Sequence, residues 1–306
     1  MSAIFQGLTP IFLLIVLGYV LRRMPWVADA FWAPAEKLTY YLFFPALLLG
    51  NAARADLGAF ALAPLAGTLL ICTLLVSAAV LALRPFSGLD GPAFTSLFQG
   101  AIRPNSYVGI AAALALFAQQ GLTLVAIAIV IVVPLVNFLC VSVMVVFAAP
   151  RDTRRGIAPI LFEIVKNPLI LACFGGLGLN LAGLALPPVI APLIDILGHA
   201  ALPVGLIAVG AGLSLEALHA RAATVSLGAI AKLGAMPLLT FIIGSAFGLD
   251  GVELAVCVMY MSLPTSASSY VLARQLGGDG PLVAGMITAS TILAMITLPL
   301  WVRLVL

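Results

Sequence analysis

"AIRPNSYVGIA", residues 101–111, places an arginine, a proline and an asparagine in succession inside a long apolar run. Phe94, Leu97 and Phe98 precede it, and the stretch from Ala111 to Phe117 continues it. A fixed positive charge at the centre of a hydrophobic segment, followed at once by a helix breaker, needs an explanation from the rest of the chain.

The chain has 306 residues, 63% hydrophobic and only 8% charged, with a mean hydropathy of +1.24. Water-soluble domains carry about a quarter charged residues, so this is a polytopic membrane protein whose surroundings are a lipid bilayer. The net charge of +3 is small and the basic residues form no stripe, which predicts no nucleic-acid partner. Cys72, Cys140, Cys173 and Cys257 all fall in apolar stretches and form no CxxC pair, so free buried thiols are expected, with no disulfide and no metal. No basic residue precedes the first apolar run, whereas Arg22 and Arg23 follow it. That order is the reverse of a secretory signal and predicts an uncleaved first span.

A helix crossing a bilayer needs roughly 20 apolar residues. Such runs occupy 3–21, 32–53, 60–83, 91–117, 121–148, 159–179, 189–214, 222–246, 251–273 and 280–304. The polar connector "APRDTRRGIAP" (149–159) divides them into two groups of five. Basic residues favour cytoplasmic loops. Alternate loops hold Arg22, Arg23, Lys37, Arg84, Arg151, Arg154, Arg155, Lys166, Arg221 and Arg274, against Arg54 and Arg303 on the other side. This predicts a multi-pass protein of the cell (inner) membrane with both termini outside. Arg103 and Lys232 belong to neither set of loops.

Sliding the second half over the first by 158 residues brings Pro10 onto Pro168, Gly18 onto Gly176, Pro34 onto Pro192, Pro45 onto Pro203 and Leu57 onto Leu215. Composition alone would give on the order of one proline pair at a given offset, so a duplication is indicated. Pro104 meets Pro264 at an offset of 160. With an odd number of spans in each half, the repeats 1–149 and 159–306 cross the membrane in opposite senses, joined by a connector at 150–158. Inverted repeats of this kind build secondary transporters, with substrate held near the midplane where a matched pair of broken helices meet. Spans 4 and 9 are the matched pair here, broken at Pro104 and Pro264.

Further residues carry a family resemblance. "LPTSASSYVLARQLGGD" (263–279) and "STILAMITLPLWVRLVL" (290–306) resemble the ninth and tenth helices of the auxin efflux carrier family, in particular its bacterial malate and malonate permease-like members. "KNPLILACFGGLGLN" (166–180), "ALPVGLIAVGAGLSL" (201–215) and "AKLGAMPLL" (231–239) resemble the sixth, seventh and eighth. "YYLFFPALLLGNAA" (40–53) and "NSYVG" (105–109) match less tightly. The resemblance implies an all-α integral membrane fold of ten transmembrane helices in two inverted five-helix repeats. Crossed broken helices 4 and 9 would be as in bile-acid symporters and NhaA-type antiporters. It also implies a scaffold from helices 1, 2, 6 and 7, and a transport part from helices 3–5 and 8–10. Its cargo would be organic anions, auxin in plants and dicarboxylates in bacteria, moved by alternating access of the elevator type. One departure stands out: where the family commonly has a proline after the glycine of the fourth-helix motif, this chain has Ala111, and proline comes earlier, at Pro104.

Arg103 and Lys232 both lie about ten residues into their spans. A central Arg or Lys costs about 2.5–3.5 kcal/mol on insertion scales and normally faces a partner or a wet cavity. Acids are scarce: Asp195 is near one end of span 7 and Glu163 near one end of span 6. A small organic anion supplying the missing negative charge is therefore expected at Arg103 and Lys232, with Asn105, Ser106, Thr265, Ser266 and Ser268 as further ligands beside the breaks. The bland alternatives are that Arg103 snorkels or bonds carbonyls freed by Pro104, that Lys232 ties its helix to carbonyls of a broken neighbour, and that the hydroxyls satisfy broken backbone. Tyr107 and Tyr270 line the path or simply pack. Asp195 and His199 lie four apart on one face; they could couple protons, but a satisfied pair at an outer gate is the favoured reading. Asn167 before Pro168 reads as a helix cap. No cofactor is expected; H+ and Na+ are both admissible coupling ions, and a homodimer is compatible with the sequence.

A membrane enzyme is the alternative from another class. Its candidates are thin: His199 and His219, with no HExxH, no GxSxG and no paired intramembrane aspartates. A binding-only sensor on a carrier fold stays open. No P-loop is present to power transport with ATP.

Overall fold

The computed structural model describes residues 2–55, 60–148, 167–219 and 221–306. The connector 150–158, Leu57, Glu163, Arg151, Arg154, Arg155 and Lys166 lie outside the described residues, as does the side chain of His219.

In chain order, α1 (Ser2–Leu21) is followed by α2 (Trp32–Leu38), which runs through a π-helical turn (Thr39–Phe43) into α3 (Phe44–Ala53). Next come α4 (Leu62–Ala82), α5 (Gly91–Ile102) and α6 (Ser106–Phe147), then α7 (Pro168–Leu181) and α8 (Ile190–Ala211). A second π-helical turn (Ala231–Ala235) joins α9 (Ala222–Ile230) to α10 (Met236–Ala246), and α11 (Gly251–Met261), α12 (Ser268–Leu276) and α13 (Gly280–Val305) complete the order. The described chain is all-helical, a multi-pass membrane protein.

Six helical stretches among the described residues are each long and apolar enough to cross a membrane, where the sequence predicts ten runs. The difference has local causes. The run at 32–53 is helical throughout but is not among the six, and those at 91–117 and 251–273 are interrupted beside Pro104 and Pro264. The long α6 holds two runs in one element and reverses its backbone at Ala118 (φ 49°, ψ −138°). The run at 159–179 begins outside the described residues.

The helix starts are written locally. Asp90 caps α5 by accepting from the Ala93 N–H at 2.8 Å, and Asp279 caps α13 by accepting from Leu282 at 3.0 Å. Both belong to an Asp-Gly-Pro triplet, in which proline sits in the first turn, where its missing N–H has no partner to lose. The Asn167 side chain accepts from Leu169 and Ile170 at the head of α7, the capping role its place before Pro168 predicts. The π-helical turns lie just ahead of Pro45 and Pro237. Pro237 has no N–H for the Leu233 carbonyl, and the indole N–H of Trp301 donates to that oxygen instead at 2.7 Å.

The described helices form two compact units. The first gathers Met1–Phe60, Tyr107–Val130 and Ile164–Gly212. In it α1 lies against α8, and α3 against α7 and α8. The approach of α1 to α8 is at backbone distance: a methyl on Gly18 would collide with the Ile207 carbonyl, and one on Gly210 with the Ile15 carbonyl. Arg22 then donates to the last carbonyl of α8, Ala211, at 2.7 Å, a cation on the negative end of a helix.

The second unit gathers Ala61–Ser106, Ile131–Glu163 and Leu213–Leu306. Here α4 packs on α5, α10 and α11, while α13 packs on α5, α9 and α11. Every residue of α5 from Ala93 to Ile102 is buried. Arg221 ties the starts of α5 and α13 together: its Nη2 lies 3.2 Å from Asp90 Oδ2 and its Nε 3.8 Å from Asp279 Oδ2. The Ala93 N–H first, and Arg221 second, hold the Asp90 carboxyl below the usual carboxylate range.

Candidate functional site

Within the second unit the two interrupted segments meet. The first interruption spans Arg103–Asn105, where α5 ends at Ile102 and α6 begins at Ser106. Ala111, the departure from the family pattern, lies inside α6 and is buried, so the break falls earlier in this chain, at its own proline. The second interruption follows Met261 and ends at Ser268. Pro104 and Thr265 form an isolated antiparallel bridge. The Asn105 N–H donates to the Pro264 carbonyl at 2.9 Å, and the Ser266 N–H to the Arg103 carbonyl at 3.0 Å.

Elementary accounting explains the remaining bonds. In an α-helix the N–H of residue i serves the carbonyl of residue i−4, so Pro104 leaves the Gly100 carbonyl without a donor. The Thr265 hydroxyl supplies one at 2.8 Å. On the other segment the Thr265 N–H turns away from the Met261 carbonyl to donate to Ser290 Oγ at 3.0 Å. The Met261 carbonyl is served instead by the Lys232 ammonium, also at 3.0 Å. Lys232 is fully buried on the π-helical turn ahead of α10. It sits at the C-terminal, partially negative end of α11, where a cation is favoured.

Arg103 is buried with 8% of its surface exposed. Its Nη2 donates to Ser268 Oγ at 3.0 Å, and Ser268 Oγ lies 2.9 Å from Ser266 Oγ. Nε and Nη1 have no hydrogen-bond partner among the described residues, with the Cys140 thiol beside the guanidinium. No carboxylate among the described residues is within ion-pairing distance of Arg103 or Lys232. Asn105, Ser106 and Thr265 are buried, Ser266 is half-buried and Ser268 exposed. Ser106 Oγ lies 3.5 Å from the Tyr260 hydroxyl. Of the expected residues Ser268 touches the Arg103 side chain and Ser266 touches Ser268, whereas Asn105, Ser106 and Thr265 lie along the same two breaks, and Lys232 reaches the second segment at the Met261 carbonyl.

Other candidates are placed elsewhere. In the first unit Asp195 is held two-pronged by Arg54, at 2.8 and 3.1 Å, and His199 is exposed. Tyr107 stacks on Phe44 with ring centroids 4.3 Å apart. Asn51 accepts from Gln119, next to the reversed Ala118. A small cleft lies beside Asn51, lined by Thr123, Cys173 and apolar side chains. Tyr270 is exposed. All four cysteines are free and buried, and among the described residues no group of three or more His, Cys, Asp or Glu gathers to hold a metal.

Two residues escaped the sequence reading. Ser290 holds Thr265 from α13, and Gln99, fully buried, stands one turn before Arg103. Gln99 had a legible signal, an amide in an otherwise apolar helix at a spacing of four from a buried charge. Ser290 had none, because a serine in a transmembrane helix commonly bonds its own backbone.

Comparison with known proteins finds membrane transporters. Over 97% of its length the chain is 27% identical to a protein of Rhizobium meliloti (strain 1021) provisionally named a malonate transporter, covering 94% of that protein. Over a similar span it is 26% identical to an uncharacterized transporter of Methanothermobacter thermautotrophicus, covering 98% of it. The profile of the family described as membrane transport protein matches residues 149–302, just over half of the chain and including the second break with its flanking helices. The chain belongs to this membrane transport protein family, the auxin efflux carriers.

Proposed function

We propose that the chain is a secondary transporter of small organic anions, mono- or dicarboxylates, with Arg103 as the anion receptor. The observation that carries this is a buried guanidinium beside two broken segments, with two nitrogens unpaired and no carboxylate near it among the described residues. A buried charge persists only where it is paired, and a carboxylate is the partner a guanidinium matches best. A relative's provisional name, malonate transporter, points to the same class. Asn105, Ser106, Ser266 and Ser268 complete the receptor. In this reading Thr265 and Lys232 act on the backbone of the breaks, since their polar atoms serve the Gly100 and Met261 carbonyls.

The arrangement that goes with this function is ten helices in two inverted five-helix repeats, with broken helices 4 and 9 crossing. Helices 1, 2, 6 and 7 form the scaffold, helices 3–5 and 8–10 the moving part of an elevator, and both termini face outward. An anion leaving a negative interior gains about 2.3 kcal/mol per charge at 100 mV, so export needs no further coupling ion. Uptake into proteoliposomes of a panel of mono- and dicarboxylates, with and without imposed proton or sodium gradients, tests the reading. Arg103→Gln should lower apparent affinity at least tenfold. Unchanged affinity and rate in that variant would remove Arg103 as the receptor, and chemical turnover without transport would replace a carrier with an enzyme.

A further inference from the structure

Gln99 lies in the last turn of α5, and Arg103, the extended residue that caps it four positions on, donates its N–H to the Gln99 carbonyl at 3.0 Å. Gln99 is fully buried, and neither its amide oxygen nor its amide nitrogen has a hydrogen-bond partner among the described residues. Arg103 Nε and Nη1 are in the same condition. Two further buried hydroxyls on the neighbouring elements, Ser269 and Thr291, are unpaired as well. Ser269 donates its N–H to Ser266, and Thr291 follows the Ser290 that holds Thr265. A leucine or methionine at position 99 would fill the space without leaving two amide atoms desolvated. The amide carries a cost in stability, one turn before a guanidinium that leaves two of its own nitrogens without partners among the described residues.

The chemistry of these unpaired groups defines what satisfies them. A guanidinium offers donors only and takes a carboxylate. A primary amide offers one donor and one acceptor side by side. Both are met at once by a planar group with the complementary pair, a C=O next to an O–H or N–H. An ionised carboxylate, an acceptor only, would bond Nε2 and leave Oε1 facing a negative oxygen. The Lys232 ammonium is directed at the Met261 carbonyl, which leaves the Arg103 guanidinium as the cation beside these unpaired groups.

We infer that Gln99 is a specificity-determining residue, and that the site takes a short monoanion with two ends. A carboxylate lies on Arg103 and an uncharged donor–acceptor group lies on the Gln99 amide. The half-ionised form of a dicarboxylic acid has this shape, and so does its monoamide. The inference rests on the organic-anion reading of Arg103.

Malonamate and propionate test it in proteoliposomes of the full chain. Both have a carboxylate and three carbons, but only malonamate carries the donor–acceptor end. The wild-type chain should favour malonamate at least tenfold in apparent affinity, and in Gln99→Met that ratio should fall toward one. A wild-type ratio near one overturns the inference without need of a variant, as does uptake of neither anion. If Arg103→Gln abolishes uptake of both anions while Gln99→Met keeps the wild-type ratio, the inference on Gln99 fails and the receptor role of Arg103 stands. If Arg103→Gln leaves the uptake of both unchanged, the organic-anion reading itself fails.

Discussion

Replacing Thr265 with valine removes one hydroxyl at nearly constant volume, from a side chain only 1% exposed. That hydroxyl is the donor that serves the Gly100 carbonyl, which Pro104 deprives of its helical N–H. Valine therefore loses a bond and leaves a carbonyl desolvated, a loss of about 1–3 kcal/mol in proteins generally. Bonds within membranes average nearer 0.6 kcal/mol and reach about 1.7, so we expect about 1–2 kcal/mol for Thr265→Val. Thr73 provides the control. It is equally buried, and its hydroxyl donates at 2.7 Å to the Leu69 carbonyl inside α4, an oxygen that keeps its helical N–H when the hydroxyl goes. Thr73→Val should cost only a few tenths of a kcal/mol, and Thr265→Ser should recover most of the loss. Equilibrium unfolding in mixed detergent and SDS micelles measures all three. If Thr265→Val costs no more than Thr73→Val, the donor accounting at the break is wrong. If instead it leaves stability alone and weakens anion affinity, Thr265 is a ligand and not a backbone partner.

Three other perturbations follow from the same structure. Gly210→Ala places a methyl against the Ile15 carbonyl and should destabilise the α1–α8 contact by about 1–3 kcal/mol, whereas Gly178→Ala, which meets nothing within 4 Å, should stabilise by up to about 1 kcal/mol; the same SDS titration reads both, and equal effects would contradict the close approach. Ala118→Gly should stabilise, because Ala118 holds a φ of 49° that glycine adopts without strain; a loss of stability would show that the reversal at 118 carries no strain. Asp90 has a carboxyl lowered by the Ala93 N–H and Arg221, so its ionised form stabilises the fold above the ordinary carboxylate pKa and that contribution is lost as pH falls through the lowered value. The wild-type advantage over Asp90→Asn should therefore be full at neutral pH and vanish on acidification, small throughout because the side chain is 57% exposed; an advantage that grows toward low pH would reverse the assignment.

Much of the helical outline was legible along the chain because membrane helices announce themselves one at a time. The apolar run at 280–304 becomes α13, Gly280–Val305, and that at 189–214 becomes α8, Ile190–Ala211. Each such segment satisfies its own backbone and meets lipid on its own account, so composition and length suffice. The interruptions were legible for a related reason: Pro104 and Pro264 remove donors from their own helices whatever the surroundings. Ala118 was not legible, since nothing local makes alanine adopt a positive φ.

Residue order alone places the protein in a bilayer, locates its apolar runs, and puts Arg103 inside one of them beside a helix break. Those are properties of single segments, decided by transfer free energy and by proline's missing N–H. Which group answers each freed carbonyl emerges from helix packing: Thr265 for Gly100, Lys232 for Met261, Trp301 for Leu233. That packing alone separates Lys232, whose charge is spent on a helix end, from Arg103, which keeps two nitrogens without partners beside a buried Gln99. A donor and its acceptor can lie 165 residues apart, as Thr265 and Gly100 do. Their pairing depends on which helices pack together, and no local pattern of residues encodes that.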